Sequence, residues 1–109
     1  MLQYKNYVAT VEFDDAADIF HGEVINMTDV ITFQGKSTKE LRKAFEDSVE
    51  DYISFCYENG REPMKAFSGK MLIRTSPDNH RKIAEAAARA RMSINQWVEK
   101  MLFDAAQVV

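Results

Sequence analysis

Six carboxylates near the start of the chain come closest, among its residues, to the chemistry of a metal-dependent nuclease. They are Glu12, Asp14, Asp15, Asp18, Glu23 and Asp29. Nucleases of this kind bind divalent metal ions with clusters of carboxylates. Most of these acids, however, lie in or beside the stretch DDAAD, where Asp is favoured because its side chain hydrogen-bonds the backbone of a turn. We therefore predict that the chain is not an enzyme and uses no metal or cofactor, with a magnesium-dependent nuclease as the weaker alternative.

Nucleophilic and thiolate chemistry has few candidate residues. The chain has one cysteine, Cys56, and two histidines, His21 and His80. A single cysteine cannot form an internal disulfide or a thiolate zinc site, and the histidines have no evident third partner for a nucleophile and base pair. Cys56 falls on the apolar stripe of a predicted helix, so we interpret it as a small core residue.

Charge is distributed unevenly along the chain, although the formal net charge is only −3. Residues 1–67 hold seven Lys and Arg against thirteen Asp and Glu, a balance of −6, whereas residues 68–109 hold seven against four, a balance of +3. Positive charge gathered in the second part favours a polyanionic partner there, and the acidic first part would repel one. Ordinary surface variation is the alternative explanation.

The stretch KMLIRT indicates a strand with two unlike faces. Met71 and Ile73 point to one side. Lys70, Leu72 and Arg74 point to the other, which is partly basic and partly apolar. The partner of that second face is the main functional question that the sequence raises.

Two spacings of apolar residues, one typical of strands and one of helices, predict the elements before this strand. YVATVEF alternates as a half-buried strand, and IFHGEVI and MTDVITF follow as two further strands, which together predict a three-stranded antiparallel meander. From Thr38 the apolar residues recur at three and four, with Ser37 or Thr38 placed to cap the first amides. This pattern predicts a helix that runs to about Glu58.

Two helices follow the strand, and each has a clear start. Ser76, Pro77 and Asp78 form the cap and first turn of one helix. Ser93 with Gln96 forms a capping box for the next. The second helix carries an apolar face at spacings of three, four and seven, made of Ile94, Trp97, Val98, Met101, Leu102 and Ala105.

A unit of about 40 residues is too small to bury a core by itself, and this one has no disulfide or metal to stabilise it. We predict that two chains pair their strands as an antiparallel ribbon over four packed helices. The predicted dimer core is Met71, Ile73, Ile94, Trp97, Val98 and Met101. A two-stranded ribbon fits the major groove of B-form DNA, so the face with Lys70 and Arg74 is predicted to contact operator DNA.

The same residues carry a family resemblance. GKMLIRTSPDNHRKIAEAAARARMSINQWVEKML resembles the ribbon-helix-helix DNA-binding module, and the residues before it resemble the amino-terminal domain of HicB antitoxins. The most specific pieces are FHG, FQGKSTKEL, YENGREP and MSINQW. The resemblance implies an α+β protein with a partial ribonuclease-H-like domain over residues 1–66 and a ribbon-helix-helix domain over residues 69–109. It also implies an antitoxin that neutralises HicA, an RNA-cleaving toxin, and represses the shared operon.

The resemblance assigns DNA contacts to particular positions of this chain. They are Lys70, Leu72, Arg74, Ser93 and Asn95. Two positions depart from the family pattern. Leu72 stands where a polar residue is common and can contact only a thymine methyl group, and Arg91 stands near where glycine usually ends the first helix.

Four further expectations concern partners and location. A solitary transcription regulator without a toxin is the alternative to the antitoxin, and the assembly is a homodimer or a higher oligomer built from dimers. No apolar run is long enough to span a membrane and no leader is evident, so we expect a cytoplasmic protein. The acids suggested for toxin contact, against the alternative of a solvated helix face, are Glu46, Asp47, Glu50 and Asp51.

Overall fold

The computed structural model describes residues 1–107. It contains a four-stranded antiparallel sheet and three helices, which confirms the predicted α+β class. The chain divides into two compact units, Met1–Lys70, here called the front unit, and Met71–Val109, the rear unit. Within residues 1–107 no helix combines the length and the apolar character needed to cross a membrane.

The front sheet has four strands where the sequence predicted three. Its strands are β1 (Leu2–Tyr4), β2 (Tyr7–Asp14), β3 (Ile19–Val24) and β4 (Thr32–Gly35), and they lie side by side in that order. The three-residue β1 was missed because the turn that joins it to β2 has neither glycine nor proline. That turn consists of Lys5 and Asn6, and Lys5 adopts a positive φ of 53°.

The last strand begins later than its sequence pattern predicted. MTDVITF was interpreted as a strand throughout, but β4 starts only at Thr32. Asn26 has a positive φ of 60°, which interrupts an extended conformation. Asp29 then accepts a hydrogen bond from the Tyr52 hydroxyl at 3.2 Å, and pairing with β3 begins only at Ile31, whose carbonyl accepts the Val24 amide at 3.0 Å.

Helix α1 (Thr38–Glu58) has the bounds that its periodicity predicted. The Ser37 hydroxyl accepts the Glu40 amide at 3.1 Å, and the Glu40 carboxylate accepts the Lys36 amide at 3.0 Å, so both ends of the first turn are satisfied. The helix covers one face of the sheet. The buried cluster between them consists of Tyr7, Ala9, Val24, Ile31, Phe33, Leu41, Phe45 and Val49.

Two glycines allow α1 and an aromatic ring to lie close to the sheet. A Cβ at Gly22 would stand 2.3 Å from the ring of Phe33, which itself stacks on Phe45 with 5.0 Å between ring centroids. A Cβ at Gly35 would stand 2.5 Å from the backbone nitrogen of Leu41. The glycines of FHG and FQG are therefore required by packing.

The rear unit contains α2 (Pro77–Arg89) and α3 (Ile94–Ala106). Both predicted starts are confirmed, because Ser76 accepts the Asn79 amide at 3.2 Å and Ser93 and Gln96 form the full capping box. The strand predicted over residues 71–75 is not formed in the single chain. A strand exists only through hydrogen bonds to a neighbour, and the neighbour predicted for this one is a second chain.

Glu50 connects the β1–β2 turn to α1. Its carboxylate accepts a hydrogen bond from the Tyr4 hydroxyl at 2.6 Å and pairs with the Lys5 ammonium at 2.5 Å. The hydrogen bond from Lys5, followed by that from Tyr4, lowers the pKa of Glu50, and the same contact raises the pKa of Lys5. These contacts fix the end of β1 against the helix.

Replacing Glu50 by Gln should lower the free energy of unfolding of the front unit at neutral pH. It should also make that free energy depend less on pH in the acid range. Since the folded-state pKa of Glu50 is depressed, its contribution is present above the ordinary pKa of 4.5 and is lost as pH falls through the lower folded-state value. All four tyrosines lie in the front unit, so tyrosine near-UV circular dichroism during urea unfolding measures it. Glu46→Gln is the control, and equal pH slopes in wild type and Glu50→Gln would contradict the assignment.

Candidate nucleic-acid interface and dimer surface

An open groove of about 910 Å³ lies within the rear unit. It is formed by residues 71–75 together with side chains of α2 and α3. Every residue predicted for the dimer core lines it, namely Met71, Ile73, Ile94, Trp97, Val98 and Met101. The sequence thus identified a set of side chains that the structure brings to one surface.

This surface is apolar and uncovered in the single chain. Met71 is 77% exposed and Ile73 is 55% exposed, and α3 has no buried residue. In α2 only Ala87 is buried, at 1% exposure. Contiguous apolar surface of this kind on a small unit is typical of a face that a partner covers.

The residues predicted to contact DNA are less completely arranged than those predicted for the dimer core. Leu72 is 82% exposed, and Leu72 and Arg74 line the same groove as Met71 and Ile73. The alternation that would separate Lys70, Leu72 and Arg74 from the apolar side chains is therefore not established in the single chain. Alternation requires a strand, and this segment has no strand partner among the described residues.

The start of α3 partly satisfies its own polar groups. The Ser93 hydroxyl accepts the Gln96 amide at 3.1 Å, and the Ser93 amide donates to the Gln96 side chain at 3.0 Å. The hydroxyl and the amide of Ser93 are thus both engaged in the capping box. The next two amides, of Ile94 and Asn95, have no intrahelical acceptor because they lie in the first turn, and the side chain of Asn95 lines the groove.

Arg91 adopts the conformation for which glycine is usual. Its φ is 57°, and its amide donates to the Ala88 carbonyl at 3.0 Å. The Met92 amide donates to the Ala87 carbonyl at 2.9 Å, so the two bonds form a Schellman motif at the end of α2. Arg91 tolerates the left-handed conformation at an energetic cost that glycine would avoid.

Several acids of the front unit make contacts within that unit. Asp14 accepts the amides of Ala16 and Ala17, each at 3.1 Å, as expected for an acid that closes a turn. Within residues 1–107 no group of three His, Cys, Asp or Glu side chains is placed to hold a metal ion. Of the four helix acids suggested for toxin contact, Glu50 pairs with Lys5, and Asp47 pairs with Lys43 at 2.9 Å.

The connection after α1 is packed onto the front unit, which sequence reasoning missed. Tyr52 donates to Asp29 and accepts the Met64 amide at 3.2 Å, and burial is the main cause that raises the pKa of its hydroxyl. The Asn26 side chain donates to the carbonyl of Ala66, which is itself buried. No local pattern signals these contacts, because each joins residues far apart in sequence.

The two units define an α+β protein whose capped helical rear unit has an uncovered apolar face. The model of the HicB family matches residues 52–102, slightly less than half of the chain. This match supports membership of the HicB family and suggests a role related to toxin–antitoxin systems. Searches of curated proteins and of solved structures found no match.

Replacing Arg91 by Gly should raise the free energy of unfolding of the rear unit by about 0.5–1 kcal/mol, because glycine adopts a positive φ without a Cβ clash. The only tryptophan, Trp97, lies in the rear unit, so its fluorescence during urea unfolding at a fixed protein concentration measures the change. Arg89→Gly is the matched control, since glycine inside a helix should destabilise by a similar amount. A lower stability for Arg91→Gly would contradict the assignment.

Proposed function

We propose that this chain is the antitoxin of a HicA/HicB-type pair, which neutralises an RNA-cleaving toxin in the cytoplasm and represses its own operon. The observation that carries the proposal is the uncovered apolar surface shared by residues 71–75 and α3. The match of residues 52–102 to the HicB family supports it. In this proposal the front unit is a partial, inactive ribonuclease-H-like domain that binds the toxin, and the rear unit is a ribbon-helix-helix domain.

A homodimer would supply the strand neighbour and the apolar contacts that the rear unit lacks in the single chain. Two copies that pair residues 71–75 as an antiparallel ribbon would give each segment the hydrogen-bonding neighbour that it lacks. Met71 and Ile73 would then cover the face of α3 around Trp97 and Met101, all of which already line one groove. Burying several large apolar side chains contributes about 1.5–3 kcal/mol each, which is enough to drive association of a small unit.

The ribbon would present its other face to DNA. A two-stranded ribbon fits the major groove, where Arg74 can read guanine and Leu72 can contact a thymine methyl group. Lys70 would meet the phosphate backbone. The free amides at Ile94 and Asn95 begin α3 and would bind a phosphate at the positive end of the helix dipole.

Arg74→Ala should weaken operator binding by about 1–3 kcal/mol while the dimer survives, because it removes a base contact and no apolar area. Ile73→Lys should abolish both dimer and DNA binding, since it places a charge in the predicted core. Gel shifts with the DNA upstream of the gene measure binding, and sedimentation measures the dimer. Unchanged DNA binding by Arg74→Ala, or a dimer that survives Ile73→Lys, would refute the ribbon arrangement.

The negative charge of the front unit favours a basic partner. Its residues 1–67 carry a balance of −6, so a basic RNA-binding toxin would gain association rate from opposite charge. One face of its sheet is covered by α1, whereas the exposed residues of the other face include Glu12, His21 and Glu23. The front unit thus offers an acidic surface that is separate from the basic rear unit in sequence.

Co-expression with the product of the adjacent reading frame should yield a complex that co-purifies with this chain and loses its RNA-cleaving activity. The association rate should fall as salt is added, because screening weakens attraction between opposite charges. Stopped-flow mixing of the separately purified proteins at increasing salt measures this rate. If no adjacent product binds while the upstream DNA is still retarded, the antitoxin proposal fails and the DNA-binding proposal stands.

A solitary DNA-binding regulator is the second candidate. The observation that favours it is the position of the family match, which begins at Tyr52 and leaves the whole four-stranded sheet outside it. In this case the rear unit would act as proposed, and the front unit would bind a different ligand or none.

A further inference from the structure

Strand β2 has a neighbour on both sides along only part of its length. Its eight residues, Tyr7–Asp14, pair with β3 from Ala9 onwards. On the opposite side β1 covers only Tyr7, Val8 and Ala9, which pair with Tyr4, Gln3 and Leu2. From Val11 to Asp14, β2 is therefore an open sheet edge within the described residues.

The hydrogen-bond pattern shows which backbone groups point to this open edge. The Ile25 amide donates to the Val8 carbonyl at 2.9 Å, so the backbone groups of Val8 point towards the β3 side. Antiparallel strands alternate the direction of these groups from one residue to the next. The amides and carbonyls of Val11 and Phe13 therefore point to the side where no strand lies.

The side chains at this edge are apolar and exposed. Val11 is 36% exposed and Phe13 is 53% exposed, and the Phe13 ring contacts Phe20 edge to face with 5.4 Å between centroids. Both lie on the same face of β2 as the buried Tyr7 and Ala9. An edge with free backbone groups and apolar side chains is a template for an added strand.

Charge decides what kind of strand fits. Residues 6–35 contain six acids and neither Lys nor Arg. Glu12 and Asp14 alternate with Val11 and Phe13 on the open part of β2, and both are exposed. A second copy of the same edge would bring like charges opposite each other, which is destabilising, whereas a basic strand would meet opposite charges.

We propose that the open edge of β2 at Val11 and Phe13 binds an extended segment of a basic protein partner by strand addition. Apolar residues of that segment pack on Val11 and Phe13, and alternate Lys or Arg residues lie beside Glu12 and Asp14. The inference rests on the proposed function, because it names the surface at which the toxin docks.

The test uses the full-length chain labelled with ¹⁵N and a short capped peptide of alternating Lys and Val. Binding should slow hydrogen exchange of the Val11 and Phe13 amides, while the amide of Glu12, already directed at β3, keeps its exchange rate. Directly opposed residues share a face, so the Val residues of the bound peptide direct their backbone groups at β2. N-methylation of the Val residues should weaken binding by about tenfold or more, and N-methylation of the Lys residues should not.

Variants of the chain give a second measurement. Phe13→Pro removes an outward amide without removing a bond to β3, a position where proline is tolerated in a sheet, and should abolish peptide binding. Phe13→Ala keeps that amide and should weaken binding less. Glu12→Lys, which leaves the turn-closing carboxylate of Asp14 in place, should shift the preference towards a peptide of alternating Glu and Val.

Equal binding by the two N-methylated peptides, or exchange protection only on α1, would overturn the edge assignment, whether or not Phe13→Pro folds. The two proposals fail in distinguishable ways. If the product of the adjacent reading frame co-purifies with Phe13→Pro as well as with wild type, the antitoxin role stands and this docking site is wrong. If that product fails to bind the wild type while the peptide still protects Val11 and Phe13, the edge stands and the antitoxin role fails.

Discussion

The apolar face of α3 has too little of its own chain to pack against, and this shortage dominates the rear unit. Its side chains share a groove with Met71 and Ile73, yet none of α3 is buried. Residues 71–75 have the complementary deficit, because their backbone groups have no neighbouring strand. One association would satisfy both, since the same partner supplies a strand and covers the apolar face.

Within one chain, the front unit covers its apolar surface and pairs its strands, except along one edge of the sheet. The buried cluster between α1 and the sheet is continuous, and the glycines at 22 and 35 allow the close contacts that it needs. Among the described residues, the short β1 leaves residues 11–14 of β2 without a neighbour on the side away from β3, in a region that lacks basic side chains. The two units thus expose different chemistry, with acidic residues around a free strand edge in the front unit and an apolar groove that includes Arg74 in the rear unit.

Local signals predicted the helices well. Ser76 and Ser93 were assigned as caps and the first cap was left between Ser37 and Thr38; the structure shows Ser37, and each of the three serines accepts the amide three residues later. The helical residues predicted for the dimer core line one groove, because side chains at three, four and seven share a helix face wherever the helix lies. Strands were predicted less accurately. The turn that joins β1 to β2 has neither glycine nor proline, and MTDVITF pairs with β3 only from Ile31 onwards.

The sequence by itself determined where the three helices begin, where α1 ends, which faces of α1 and α3 are apolar, and how charge divides between the two parts of the chain. These properties depend on neighbours within a few residues. Only the tertiary structure decided the fourth strand, the packing of residues 61–66 through Tyr52 and Asn26, and the free edge at Val11 and Phe13. The packing of residues 61–66 joins residues distant in sequence, whereas β1 and the free edge depend on a local hairpin whose length no periodicity encodes.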